Sequence, residues 1–326
     1  MRAMKNARVV GSALLAVPLA LAGCAGQDRP EATTADPGTC PTEPVSVVVS
    51  VDQWGDIVSQ LGGACATVDT VVASSSVDPH DFEPSPADAV KFAGAQLVVL
   101  NGGHYDEWAA KLAAGSAPEA PVVSAIQPSD DHHDHDHAEG EGHDHDHAAE
   151  GNAHVWYSPT TVVTVADAVT AELSEIAPDA ADYFAERRQD FTEALTPYDD
   201  AIAAIKQAAG GRSYAATESV FDPMAAELGL ADRTPAGYAA SSANETDPSP
   251  ADLNAFLNLL ADRGVDVLIY NSQTEGSAPL QLRAAAEQAG VPVVEVTETV
   301  APEAESFQGW QVAQLKALAG ALGVPT

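Results

Sequence analysis

The sequence predicts an α/β protein of two lobes, each a parallel sheet covered by helices, joined by a long rigid helix. Three features point there. Val-rich runs without polar alternation recur between amphipathic stretches, which is how strands buried on both faces read. One helical period persists over about 25 residues mid-chain, with such runs on either side. The exported part, roughly 300 residues, is long for a single hydrophobic core.

Taken in order, VSVVVSV (45–51) is the first expected strand, and a helical stretch runs from Gln53 to Leu61. TVDTVVAS (67–74), AQLVVLN (95–101) and PVVSA (121–125) supply three more strands. Residues 127–151 hold His, Asp, Glu and Gly with almost nothing apolar, so they cannot bury a core and read as a disordered loop. Ser158 is a natural N-cap, Pro159 suits the first helical position, and apolar residues at 162, 166, 169, 173 and 176 continue a helix. Phe184, Arg187, Phe191, Leu195, Tyr198, Ile202 and Ile205 keep that period through the connector, where Pro197 kinks or splits it. The alternation then restarts with strands at 213–217, 265–271 and 291–297. Helices are expected at 250–262, 278–289 and 307–322. The resulting division is a leader over 1–23, a tether over 24–44, an N-terminal lobe over 45–177, a connecting helix over 178–209 and a C-terminal lobe over 210–326.

Arg2, Lys5 and Arg8 precede an apolar run too short for a membrane span, the pattern of an export signal. The run ends in LAGC, which resembles a bacterial lipobox with Cys24 as the lipidated residue; the other reading is an ordinary signal peptide with an incidental cysteine. A polar linker follows, suited to a tether on an extracytoplasmic membrane face. Cys40 and Cys65 remain. Each lies just before a strand, so in an exported chain they form either a disulfide or two free thiols. Forty-eight acidic against 14 basic residues give a formal charge of −34, which argues against a nucleic-acid partner and suits a protein that handles cations.

Ligands of open parallel sheets bind at the carboxyl ends of the strands. The polar residues there are the candidates: His80 and His104 in the N-terminal lobe, Glu218, Asn271, Gln273 and Glu275 in the C-terminal lobe, with His154 ahead of a helix. If the lobes face each other, His80, His154, Glu218 and Glu275 converge. Two imidazoles and two carboxylates make a sound site for Zn²⁺ or Mn²⁺. Position alone leaves other roles open. A histidine at a strand end also serves as a hydrogen-bonding loop residue, Glu218 as a first-turn residue on the helix dipole, and Glu275 as a solvated side chain.

Four stretches carry a resemblance: DPHDFEPSPADAVKFAGAQLVVLNGGHYDEW, NAHVWYSP, TESVFDPMAAELGL and NSQTEGSAPLQLRAAAEQAGVPVVEVTET. They resemble the zinc/manganese (cluster A-I) substrate-binding proteins of ABC importers over residues 45 to 322. The resemblance implies two α/β lobes on one rigid helix, a transported metal ion as cargo, a membrane permease as partner, and a monomer. It places His80 and His154 as the two N-lobe ligands and Glu218 as the third. Glu275 is the nearest equivalent of the fourth, with Asn271 and Gln273 as alternatives because the local pattern departs from the family's.

The departures bear on the metal. Two carboxylates lean towards Mn²⁺, whereas the run HHDHDHAEGEGHDHDH leans towards Zn²⁺. That run, within residues 130–150, holds His132, His133, His135, His137, His143, His145 and His147. As flexible imidazoles they read as an auxiliary collector binding several ions weakly, or as an acidic solubilising loop. His104 is expected beside the ligands or in a structural role, with Tyr105 and Trp108 packing the lobe interface. Zn²⁺ is the leading cargo and Mn²⁺ the alternative, with a surface adhesin or metal buffer as a further reading. A metallohydrolase needs an open metal position and a general base, and the chain carries no HExxH helix or GxSxG elbow.

Overall fold

The computed structural model describes residues 39–73, 82–127, 151–244, 246–274, 276–301 and 304–325. The expected residues Cys24, His80 and Glu275 lie outside the described residues, and so do the seven histidines of the run.

The first sheet forms from β1 (Val45–Val51), β2 (Ala66–Val72), β3 (Leu97–Gly102) and β4 (Val122–Ile126). All its pairs are parallel, in the order β2-β1-β3-β4. The central strands β1 and β3 are almost wholly buried, as their unbroken Val/Leu runs require. Between the strands run α1 (Asp52–Gly62), α2 (Pro86–Phe92) and α3 (Glu107–Ser116), and α4 (Pro159–Ile176) follows β4. Ser158 caps α4 by accepting the Thr161 N–H, with Pro159 in the first turn.

The connector is two helices, α5 (Ala181–Ala194) and α6 (Thr196–Ala209). They meet at Leu195, which keeps right-handed helical dihedrals. Pro197 stands in the first turn of α6, where its missing N–H costs nothing; inside a continuous helix it would break a bond and clash with the preceding turn. The split is thus a single tight turn. α5 packs on α1 and α4, while α6 packs on the helices of the second lobe.

That lobe repeats the arrangement with β5 (Ser213–Ala216), β6 (Ala231–Asp232), β7 (Val267–Asn271) and β8 (Val293–Val296), parallel and ordered β6-β5-β7-β8. Its helices are α7 (Asp222–Leu228), α8 (Ala236–Ala243), α9 (Pro250–Ala261), α10 (Ser277–Ala289) and α11 (Phe307–Leu322). β6 has two residues, too few to show a period in the sequence. Each sheet therefore has one switch point, between its first and third strands, where connections leave in opposite directions and open a crevice.

One continuous apolar core serves both lobes. Ring contacts lead from Tyr105 to Trp156, from Trp156 to Tyr157, and from Tyr157 to both Phe221 and Trp310. Polar bonds flank this seam. Gln53 donates to the carbonyl of Glu298 at 2.7 Å, the Tyr157 hydroxyl donates to the carbonyl of Thr297 at 2.7 Å, and Asp56 accepts the N–H of Phe307 at 2.7 Å. Among the described residues no helix is long and apolar enough to cross a membrane.

Cys40 and Cys65 form a disulfide with Cα atoms 5.0 Å apart, tying the start of the fold to the turn after α1. The cross-link closes a loop with a sequence separation of 25. Replacing both cysteines by alanine is expected to lower stability by about 3 kcal/mol, measured by urea unfolding under oxidising conditions. An unchanged midpoint would show that the tether end is held by other contacts.

Candidate metal centre

Three carboxyl-end segments and one loop meet at the seam. β5 ends at Ala216, and Glu218 follows in extended backbone just before a 3-10 turn, Ser219–Phe221, that runs into α7. β7 ends at Asn271, and β8 ends at Val296 with Glu298 two residues on. From the first lobe, His154 precedes the 3-10 turn Val155–Tyr157 that leads into α4. The residues His154, Glu218 and Glu298 each offer one ligand atom within 4.8 Å of the other two. His154 and Glu298 are buried, and His154 Nε2 lies 3.7 Å from Glu298 Oε2.

The hydrogen bonds fix how each group points. Asn152 Oδ1 accepts the backbone N–H of His154 at 2.9 Å and lies 2.9 Å from its Nδ1. An oxygen that accepts from the backbone can only accept from the ring, so Nδ1 carries the proton. In the neutral imidazole the Nε2 lone pair then faces the carboxylates, the orientation a metal-binding histidine needs. The Asn152 amide donates across the seam to the carbonyl of Ser219 at 2.8 Å, beside Glu218. The ring of His154 is further held edge-on by Trp156 at 5.3 Å and by Tyr105 at 6.1 Å between centroids.

Asn271 Nδ2 donates to Glu218 Oε2 at 2.7 Å and to Glu298 Oε1 at 2.9 Å. Thr274 Oγ1 donates to the same Glu218 oxygen. Gln273 Oε1 accepts the Glu298 N–H at 2.6 Å, and the Tyr105 hydroxyl donates to Glu298 Oε2 at 3.4 Å. Burial pushes the Glu218 carboxyl up from its ordinary value, and the facing charge of Glu298 pushes it further. The bonds from Thr274 and Asn271 act the other way. Burial also pushes Asp222 up to about 6, and Asp52 at the seam likewise up to about 6. An aimed imidazole lone pair, the buried Glu298 carboxylate and the half-buried Glu218 carboxylate form a pocket whose charge a divalent cation would balance.

Of the expected residues, His154 and Glu218 come together across the lobes. Of the alternatives for a fourth ligand, Asn271 donates to both carboxylates and Gln273 holds the backbone beneath Glu298 by accepting its N–H. His104 stands outside the cluster: its side chain is 98% exposed and bonds Glu107 at 2.9 Å, because the turn aims its neighbour Tyr105 inward instead. The Asp106 carboxylate sets that turn by accepting the N–H groups of Asn101 and Gly102. Tyr105 reaches the seam as expected, whereas Trp108 packs on Phe82 within its own lobe, 4.7 Å between centroids. Glu298 escaped the sequence reading. Its signal was the one that found Glu218: a carboxylate just past the carboxyl end of a buried strand.

Comparison with known proteins finds relatives in sequence and in fold. The family model described as ZnuA, "Zinc-uptake complex component A periplasmic", matches residues 47–321. The chain is 27% identical over 203 residues to the high-affinity zinc uptake system protein ZnuA of Bacillus subtilis (strain 168), covering 60% of this chain and 61% of that protein. It is 22% identical over 190 residues to the manganese-binding lipoprotein MntA of Halalkalibacterium halodurans, covering 58% of this chain and 56% of that one. The matches thus span about three-fifths of these relatives' lengths. A periplasmic metal-binding protein from candidatus liberibacter asiaticus shares the fold, with a TM-score of 0.65 at 16% identity, covering 85% of this chain and 99% of that one.

The raised carboxyls give the metal-free protein a distinctive response to acid. The folded-state pKa of Asp52 and of Asp222 is about 6, above the ordinary 3.8, so the folded form takes up protons first. Stability from these groups therefore grows as pH falls through about 6 and is lost as pH rises again. Urea unfolding of the metal-free chain is expected to show about 2 kcal/mol more stability at pH 5 than at pH 7. A decrease over that interval would mean that other groups govern the acid response.

Proposed function

The chain belongs to the zinc-uptake complex component A family, and from that premise we propose that it captures a divalent transition metal, Zn²⁺ foremost, outside the cytoplasm and delivers it to a membrane ABC permease. The supporting observation is the convergence of His154, Glu218 and Glu298 from both lobes. In this proposal His80 is the fourth ligand, assigned through the resemblance of DPHDFEPSP, and Glu298 takes the place the sequence reading gave to Glu275. Four protein donors fill a tetrahedral shell and leave no position for a reacting water, which suits stoichiometric carriage and not catalysis. Bonds of about 2 Å draw the donor atoms of such a shell closer than they stand in the metal-free cluster. Capture would therefore tighten the seam, and release would loosen it.

The remaining parts fit around that role. Cys24 carries the lipid, residues 24–44 form the tether, and residues 45–177 and 210–326 are the lobes carried by the connector 178–209. The histidine run at 130–150 collects cations weakly, and the charge of −34 draws them in. The likeness to a manganese-binding lipoprotein and the glutamate at position 218 favour Mn²⁺ as the second reading.

Zn²⁺ and Mn²⁺ titration against a competing chelator tests the site. His154→Ala and Glu298→Gln are expected to weaken the tight 1:1 zinc site by about a hundredfold or more, while Glu275→Gln and deletion of residues 130–150 leave it in place. Tight binding that survives His154→Ala, or that disappears with the loop, would refute this assignment.

A further inference from the structure

The Glu218 carboxylate is not equally available at both oxygens. Asn271 is 1% exposed, and its amide has a fixed sense. Its Oδ1 accepts the N–H of Gln273 at 3.0 Å, and its own N–H donates to Thr217 Oγ1 at 3.1 Å. The NH₂ group is therefore turned towards the carboxylates, with bonds of 2.7 Å to Glu218 Oε2 and 2.9 Å to Glu298 Oε1. Thr274 adds a second hydrogen bond to the same Glu218 oxygen. The oxygen of Glu298 that faces His154 Nε2, at 3.7 Å, is the other one, Oε2.

This pattern bears on metal choice. A carboxylate that grips an ion with both oxygens must present both lone-pair sets to it. Glu218 Oε2 already accepts two hydrogen bonds, from Asn271 and Thr274, which take both of its lone pairs, so Glu218 offers a cation its other oxygen alone; Glu298 carries a bond on each oxygen, from Asn271 at Oε1 and from Tyr105 at Oε2. Single-atom donors in small number suit Zn²⁺, which takes four short bonds. Mn²⁺ prefers a larger, oxygen-rich shell and gains from two-oxygen grip and added water. The neutral amide matters too. A Lys or Arg at that position would satisfy the carboxylates with its own charge and repel the cargo, and an Asp would add a third anion.

Resting on the reading of this cluster as the cargo site, we propose that Asn271 is the residue that sets metal specificity. By tying Oε2 of Glu218, together with Thr274, it confines Glu218 to one-atom ligation and favours Zn²⁺ over Mn²⁺. Counting carboxylates along the chain leans towards Mn²⁺; the hydrogen bonds those carboxylates already make reverse that lean.

The test measures the affinities of the mature chain for Zn²⁺ and Mn²⁺ separately, in Asn271→Ala, Thr274→Val and the unaltered protein. X-ray absorption of the zinc-loaded forms counts the coordinating atoms. Asn271→Ala is expected to narrow the zinc-over-manganese preference by about tenfold or more and to raise the zinc coordination number above four. Thr274→Val is expected to shift the preference the same way by less. Loss of structure would weaken both metals alike, so a preference that stays constant while both affinities fall overturns the proposal, as does a preference that widens. If Asn271→Ala does not fold, an unmoved preference in Thr274→Val overturns it equally. An unaltered chain with no tight site removable by His154→Ala overturns the site reading, and this inference with it. An unmoved preference in a chain that has that site overturns this inference alone.

Discussion

Two carboxylates set side by side at the seam between the lobes, Glu298 buried and Glu218 half-buried, are the constraint around which this structure is organised. Glu218 and Glu298 come from different strand ends of one sheet, and their mutual repulsion adds to the cost of removing each from water. A bare pair of this kind takes up a proton, which the raised pKa of Glu218 reflects. The fold offsets the strain with neutral donors, chiefly the Asn271 amide between them, and with His154 aimed from the other lobe. Neutral donors leave the charge in place, so the pocket still favours a cation.

The seam joins the lobes through the residue that matters most to the pocket. Glu298 belongs to the second lobe by sequence, yet the first lobe holds it, through Gln53 at its carbonyl and Tyr105 at its carboxylate. Asn152 works in the opposite direction, orienting His154 while bonding the Ser219 carbonyl next to Glu218. Each lobe thus positions a group belonging to the other's half of the cluster. Any change in lobe separation alters the distance between the imidazole and the carboxylates directly, because rigid strand ends and packed rings lie behind both.

Both lobes reach this arrangement by one topology. Each sheet is ordered second-first-third-fourth, and each presents its strand carboxyl ends to the seam. No short repeat in the sequence announces that likeness, since the two sheets bury different side chains. The connector respects it: α5 packs on the first lobe, α6 on the second, and the turn at Leu195 lies between them.

Features that a local pattern encodes are legible along the chain. Unbroken valine runs specify buried parallel strands, Ser158 and Pro159 specify a helix start, and Pro197 specifies the break in the connector. The positions of His154 and Glu218 beside strand ends and helix starts follow from the same local signals. What those residues meet depends on how the sheets are assembled. Glu298 lies 80 residues beyond Glu218 and joins it because β8 pairs with β7 and β7 with β5, a matter of sheet order that no local period records. Asn271 and Gln273 were equally plausible as ligands along the chain; Asn271 became a donor to both carboxylates and Gln273 an acceptor of the Glu298 and Thr299 N–H groups, because side-chain direction is set by packing and by the partners that packing supplies.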